Sequence, residues 1–457
     1  MKTHLMKTYH LILFTTVLFV VFFYGETPGV NLGILGIVYA VLALFATPEK
    51  NKTQTFYILF VTSILSSIAF AWYRDFPSLL AVVASLLLLG LKSKTRKLKT
   101  LFIVLVFVTN FFTFFCRFFS FEKWLPKFNT SSMLQKTIAI ILVPAIFIIV
   151  FFCIYTYGSD HFATLFDNIE FDFNFLDFFG LVVLGFFIAF NFWNFSVDRF
   201  IYKQNHYLNN TFSVQEKPQK PSFSFMTFDL ERTSGIITFL VLNIMLVFFI
   251  FTYNYEQFYE VPKTPSQLSD ETHERVVSVI FSIIMAIAVI MFYFKGAFNF
   301  DKNAGILKML AKIWIVLNAV LIFSAMAKNT EYVQQLGLTY KRLGVYAFLI
   351  LSIIGLVVTF MKIRKQKTNA FLFNQMLWYF YGMILVCSYF NWGGMATQYN
   401  IRNHKGNFEF LHSLNYNDEM LERAFPKEMK TKINDDRTES DKATFLSKIL
   451  YYESIKK

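Results

Sequence analysis

Charge is scarce in this chain of 457 residues: Asp, Glu, Lys and Arg together make up 16%, against about 25% in a typical soluble domain. A water-soluble protein of this size needs charged side chains to cover its surface. Here 55% of residues are hydrophobic and mean hydropathy is +0.47, which excludes a soluble multidomain enzyme and a disordered tail protein. Cysteine is scarce too. Cys116, Cys153 and Cys387 lie far apart in apolar runs and form no CxxC pair, so a disulfide-stapled secreted fold and a cysteine zinc site are excluded. A Gly-rich phosphate loop, a GxSxG elbow and a paired-carboxylate arrangement are also missing. His273-Glu274-Arg275-Val276-Val277 opens like the zinc-peptidase HExxH but ends in Val, which removes the second ligand from that helix face. The better reading is a helix start, with Ser269 as the cap and Asp270, Glu271 and Glu274 near the positive end. No cofactor is indicated.

What the chain has in abundance is apolar length. Spanning a bilayer takes about 20 mainly apolar residues, since the hydrocarbon offers backbone N–H and C=O groups no partner. Twelve runs meet or approach this: Tyr9–Tyr24, Val30–Ala46, Thr55–Tyr73, Pro77–Leu91, Leu101–Phe119, Thr137–Tyr157, Phe175–Phe195, Gly235–Tyr255, Val276–Phe294, Ala311–Ala327, Leu343–Met361 and Phe371–Phe390. Phe alone accounts for 60 residues, a bias that suits lipid and by itself says nothing of ligands. The first run is followed by Gly25-Glu26-Thr27-Pro28 rather than a small-x-small cleavage site, so it reads as a retained helix. The fold class is therefore all-α: a polytopic transmembrane helical bundle with the lipid bilayer as its first partner.

Loop charge sets the threading. Net charge is +13, from 43 Lys and Arg against 30 Asp and Glu. No stretch interleaves basic residues with stacking aromatics, so nucleic acid is not expected, and the excess fits loops facing anionic headgroups. If all twelve runs cross, the acidic Ser159–Phe173 falls inside while the basic Ser196–Arg232 and Lys362–Ala370 fall outside, which strains the positive-inside rule. Leu101–Phe119 is the run to withdraw. Lys92, Lys94, Arg96, Lys97 and Lys99 precede it, Lys123, Lys127 and Lys136 follow it, and Asn110 and Arg117 interrupt it, the pattern of a re-entrant or interfacial segment. About 11 crossings then remain. Cytoplasmic loops and the N-terminus hold 25 of the Lys and Arg, external loops 6 and the C-terminal tail 11. The N-terminus is expected in the cytoplasm and the C-terminus outside.

The organisation expected is N-terminal transmembrane helices over 1–195, a cytoplasmic linker over 196–232 carrying Pro218 and Pro221, C-terminal transmembrane helices over 233–394, and a soluble extracytoplasmic tail over 395–457. A turn is expected at Asn391–Gly394. Within the tail, Asp418–Ala424 and Thr444–Ser454 read as helices, the second with Phe445, Ile449 and Leu450 on one face. About 60 residues fold marginally alone, so the tail is expected to pack on the membrane domain or on an envelope protein partner.

Ionisable groups inside the spans would point to a transport pathway, and there are almost none: Asp177, Lys295, Lys308 and Lys312 sit at helix ends. The spans contain amides instead, Asn191 with Asn194, Asn243, Asn318, and Asn374 with Gln375. Asn191, Asn243, Asn318 and Asn374 are the polar candidates, read first as interhelical bridges worth about 1 kcal/mol each and second as the lining of a path. The histidines are scattered. His404 with His412 lacks spaced carboxylates, and His161 beside Asp160, Asp167, Glu170 and Asp172 lacks the alternation of an EF-hand, so solvated loops are the plainer reading.

Over 231–401 the chain resembles a known family. Glu231-Arg232-Thr233-Ser234-Gly235 opens one span, Gly337-Leu338-Thr339-Tyr340-Lys341-Arg342 opens another, and Asn391-Trp392 precedes Tyr399-Asn400-Ile401. Together they resemble a bacterial family of multi-pass membrane proteins known by a domain of unknown function (the DUF4153/DUF4173 type). The resemblance implies fold and location but no activity. It marks Thr339, Arg342, Asn391, Tyr399 and Asn400 as motif residues, with Thr339 able to cap the following helix and Lys341 and Arg342 at the interface. Three functions are expected in order: a non-enzymatic envelope protein that binds or regulates a partner, a permease for an uncharged or lipid-like solute, and a membrane-embedded transferase.

Overall fold

A computed structural model describes residues 7–125, isolated positions between 144 and 159, and residues 175–213, 225–259, 265–429 and 435–455, with side chains of 257–258, 265–275 and 435–437 left aside. Among the described residues the chain is helical throughout, with no strand beyond a single bridge between Thr211 and Lys367. The main helices are α1 (Thr8–Phe23), α2 (Val30–Ala46), α3 (Gln54–Tyr73), α4 (Phe76–Lys94), α5 (Ile103–Phe112), α6 (Phe175–Trp193), α7 (Phe228–Tyr259), α8 (Pro265–Tyr293), α9 (Gly305–Leu336), α10 (Tyr340–Arg364), α11 (Asn369–Tyr389) and α12 (Trp392–Arg402). Eight of them (α3, α4 and α6–α11) are long and apolar enough to cross a membrane. α1 and α2 have 16 and 17 residues, about 24 Å at 1.5 Å per residue, and run the same course from end to end.

Two ends are defined by contacts. At one end, called here the linker end, Asn51 donates to the carbonyls of Ser93 and Lys94, Lys94 to that of Trp193, Lys99 N to Asn205, Thr368 N to Asn210 O, and Arg232 to Asp301. At the other, the tail end, Tyr24 meets Phe178 and the C-terminal residues close over the loops after α1, α3 and α9. Ten helices, α1–α4 and α6–α11, run between these ends, alternating in direction except that α4 and α6 both run from the tail end to the linker end. Thr137–Tyr157 and the acidic Ser159–Phe173, as well as Pro218 and Pro221, fall on undescribed residues, apart from isolated positions.

The core has two halves. One cluster joins α1–α4 and α6 through Ile12, Phe56, Leu59, Leu89 and Phe190; the other joins α7–α10 through Phe239, Ile290, Leu307 and Leu321. Small residues allow close backbone approach where lipid supplies no hydrophobic driving force between helices: a Cβ on Gly33 of α2 would stand 2.7 Å from Ser67 O and Ala71 Cβ of α3. Outward faces remain apolar, as along Ile237, Val241, Met245, Phe248 and Phe251 of α7. α11 packs on α10 and also on α3 and α4, placing Tyr381 in the first half's core.

Leu101–Phe119 is broken into α5 and a short helix Phe114–Phe118, and it stays beside the linker end. Asn110 donates to Ser196 O and accepts from Ser196 N, and Arg117 donates to Asn194 O and Asn191 Oδ1. Both polar interruptions thus hold the segment against the last turn of α6. Its phenylalanines pack edge-on to that helix, Phe114 to Phe190 with ring centroids 5.3 Å apart and Phe118 to Phe186 at 5.6 Å, the offset geometry aromatic quadrupoles favour.

Several expected boundaries move. α7 starts at Phe228, so Glu231–Gly235 occupies its first turns rather than opening it. α8 starts at Pro265, which puts Ser269 inside the helix and not at its cap. Asn391–Gly394 is no free turn, because Asn391 caps α12 by accepting from Gly394 N at 2.7 Å. Asp418–Ala424 is a helix as read, whereas Thr444–Ser454 divides into a 3-10 turn, Phe445–Ser447, and a helix, Leu450–Ile455. Ile449 is buried there and Phe445 is 63% exposed, so they share no buried face.

Candidate functional site

The tail end is built around the Gly337–Arg342 motif. Gly337 ends α9 with φ +87°, a left-handed conformation that glycine adopts without strain. Asn400 of α12 is fully buried and pairs with the backbone of Leu338 on both sides, accepting from its N–H at 2.6 Å and donating to its carbonyl at 2.8 Å. Thr339 caps α10 by accepting from Arg342 N at 3.2 Å. Arg342 turns inward: it is 9% exposed, donates to Gly337 O and stacks over Tyr332 at 3.9 Å. Asn391 also donates to Tyr416 O at 2.8 Å. Tyr399 is half-buried and contributes its carbonyl to Asn403. Asn400 thus fastens α12 to the α9–α10 turn, Asn391 ties the start of α12 to Tyr416, and Thr339 and Arg342 order the turn itself, whereas Tyr399 bonds only to Asn403 at the end of its own helix.

The tail is tied equally to the first half. Thr27 N donates to Ser447 Oγ at 2.8 Å, Val30 N to Lys448 O at 3.1 Å, and Thr444 and Ser447 both bond the Glu26 carboxylate. Arg74 pairs with Glu439 at 3.3 Å, and the Tyr416 hydroxyl reaches Tyr73 O. Ala396, Phe408, Leu411, Leu414 and Leu421 give this cap its own apolar core, on which Leu338 packs.

The intramembrane amides do not converge. Asn191 accepts from Arg117 near the linker end, Asn243 donates to Leu310 O across α7 and α9, Asn318 donates to Trp314 O of its own helix, and Asn374 donates to Leu208 O and Asn210 Oδ1. Arg117, outside the spanning helices, is drawn down to about 10 by burial and stays cationic at neutral pH. A separate set of hydroxyls joins α11 to the first half: Tyr381 donates to Thr62 and lies 2.8 Å from Ser85, while Tyr389 lies 3.0 Å from Ser66.

One amide does line a cavity. At the linker end a space of about 780 Å³ opens between the α4–α5 connection, the helix Arg199–Tyr207 and α11. Lys92, Arg96, Lys97, Lys99 and His206 supply cations or potential cations, Asn205, Asn209, Asn210, Asn374 and Gln375 supply amides, and no carboxylate among the described residues lines it. Sequence reading saw these lysines only as a basic loop. The other wall comes from residues more than 100 positions later, so spacing could not join them.

Helices crossing repeatedly between a cation-rich end and a capped end define an integral membrane protein of the polytopic bundle class. The profile of a family described as Domain of unknown function (DUF4153) matches residues 36–419, from α2 into the tail, and the chain belongs to that family. The match extends well beyond the 231–401 that the motifs covered, taking in most of the first half. No curated protein and no solved structure matches the chain.

Proposed function

We propose that the protein is a non-enzymatic component of a bacterial cytoplasmic membrane that binds or regulates an envelope partner through its capped end. The observation that carries this reading is the fastening of the tail to both helical halves, which makes it a fixed face of the molecule rather than a trailing arm. The linker end carries Lys50, Lys52, Lys92, Lys94, Arg96, Lys97, Lys99, Lys362 and Arg364, and the positive-inside tendency assigns such an end to the cytoplasm. That leaves the cap, and the C-terminus with it, outside. The dispersed, individually bonded amides lend no support to a permease path. The Tyr381 hydroxyl set has no carboxylate or histidine among the residues it bonds to, as a transferase site would need.

Two measurements test this. Single cysteines at exposed Lys203 and Glu419, in a Cys116→Ser, Cys153→Ser, Cys387→Ser background, are expected to label with an impermeant maleimide from opposite sides, Glu419 from outside. Cross-linked capture from envelopes is expected to lose its partner when exposed Glu419, Glu422 and Arg423 are charge-reversed. An unchanged partner set after both reversal and removal of 395–457 defeats the reading.

A further inference from the structure

We propose that the linker-end cavity binds a phosphate-bearing anion of small-molecule size. This is independent of the capped end. Its volume of about 780 Å³ lies within the range of ligand sites and is too large for inorganic phosphate to fill. The decisive feature is one-signed charge on a fixed frame. Arg96, Lys97 and Lys99 line the cavity, and among the described residues none of them has a carboxylate within ion-pair distance. Arg232 and Lys328, by contrast, each have a carboxylate partner, Asp301 at 3.0 Å and Glu331 at 3.0 Å. Cations gathered without a counter-charge repel one another, and a bound anion relieves that repulsion.

The loop that carries them is held on three sides. Lys92 Nζ donates to Leu98 O at 2.7 Å, Asn205 Oδ1 accepts from Lys99 N at 2.8 Å, and Asn205 Nδ2 donates to Lys97 O at 3.3 Å. The cations are thereby presented on preorganised backbone, which reduces the ordering cost of binding. Guanidinium and ammonium donors together favour phosphate oxygens. The cavity reaches from the aqueous face to Trp378, nine residues into α11 and thus about 13 Å deep along the helix axis. An anionic lipid headgroup entering from the bilayer and a soluble phosphate compound entering from the linker side both satisfy this chemistry.

The test uses full-length protein in a phosphate-free maltoside detergent, titrated with inorganic pyrophosphate in one arm and with short-chain phosphatidylglycerol in the other, read by calorimetry and thermal stability. Saturable binding is expected in at least one arm: pyrophosphate alone identifies a soluble source, the lipid alone a headgroup. R96Q/K97Q removes two exposed charges and spares the Lys92 and Asn205 bonds that hold the loop. It is expected to weaken binding roughly 30-fold, from the contribution typical of a basic residue to anionic-surface binding. K203Q/K302Q, two exposed cations outside the cavity, is expected to leave it within twofold. Binding in neither arm, wild-type affinity in R96Q/K97Q, or equal loss in K203Q/K302Q overturns the proposal.

Discussion

Asn400→Leu isolates the fastening of the cap. The side chains are similar in volume, so the substitution removes the two hydrogen bonds to Leu338 without opening a large cavity. Each partner left unmade costs between about 1 and 3 kcal/mol, according to how far water can replace it. Leu338 is half-buried, which places the pair near the low end, at about 2–3 kcal/mol. With a tenfold change per 1.4 kcal/mol, the undocked population of the tail rises roughly 30- to 150-fold. Limited trypsin digestion of sealed vesicles measures it, at protease levels where cleavage follows the open population, with cuts expected at exposed Arg402 and Arg423. Asn403→Leu serves as control, because Asn403 bonds only within its own helix, to Tyr399 O, and is exposed. A rate within twofold of wild type for Asn400→Leu, or an equal rise for Asn403→Leu, refutes the assignment of Asn400 as a clamp.

Tyr381→Phe removes the hydroxyl shared with Thr62 and Ser85 and is expected to cost about 1 kcal/mol, with a double-mutant cycle against Ser85→Ala giving non-zero coupling; additive effects on thermal aggregation in detergent count against the bridge. Arg117→Met leaves the carbonyls of Asn110 and Asn194 and the Asn191 amide without their donor, at roughly 2–4 kcal/mol of local stability, and hydrogen exchange over Phe111–Phe119 is expected to accelerate while that of α9 does not. Arg74→Gln breaks a solvent-facing ion pair with Glu439 and is expected to change tail protection by less than about 1 kcal/mol, so a large effect there shows that the docking interface is misread.

The helical class and most element positions were legible because bilayer geometry leaves few alternatives for a run of some 20 apolar residues. Leu101–Phe119, the run that the charge argument withdrew from the crossings, lies along the end of α6. What sequence could not supply was partnership. Asn191, Asn243, Asn318 and Asn374 are alike as isolated amides in apolar runs, and only the fold shows that the first holds Arg117, the next two bond across or along helices, and the last borders a basic cavity. Arg342 read as an interfacial cation because it stands beside Lys341 at the start of a span; the aromatic face of Tyr332, ten residues back on the preceding helix, draws it inward. The tail boundaries drifted for a related reason. Its short helices are set by docking to Glu26, Gly29 and Tyr73 rather than by periodicity.

The distribution of cations gains a physical meaning from these contacts. Positive charge at the tail end conflicts with a simple inside-positive bias, yet three such residues are consumed locally: Lys328 by Glu331, Arg74 by Glu439, and Arg342 by Gly337 O and the ring of Tyr332. Partnered charges of this kind are part of the docking surface and exert little field beyond it. At the linker end Lys362, fully buried, caps the carbonyl of Phe294 at the end of α8 at 2.7 Å, again a structural use. Arg96, Lys97 and Lys99 likewise meet no carboxylate among the described residues, but they line one cavity, and Asn205 bonds the backbone of Lys97 and Lys99. Three cations without a carboxylate partner thus stand together at one cavity of the linker end, where their fields add rather than cancel.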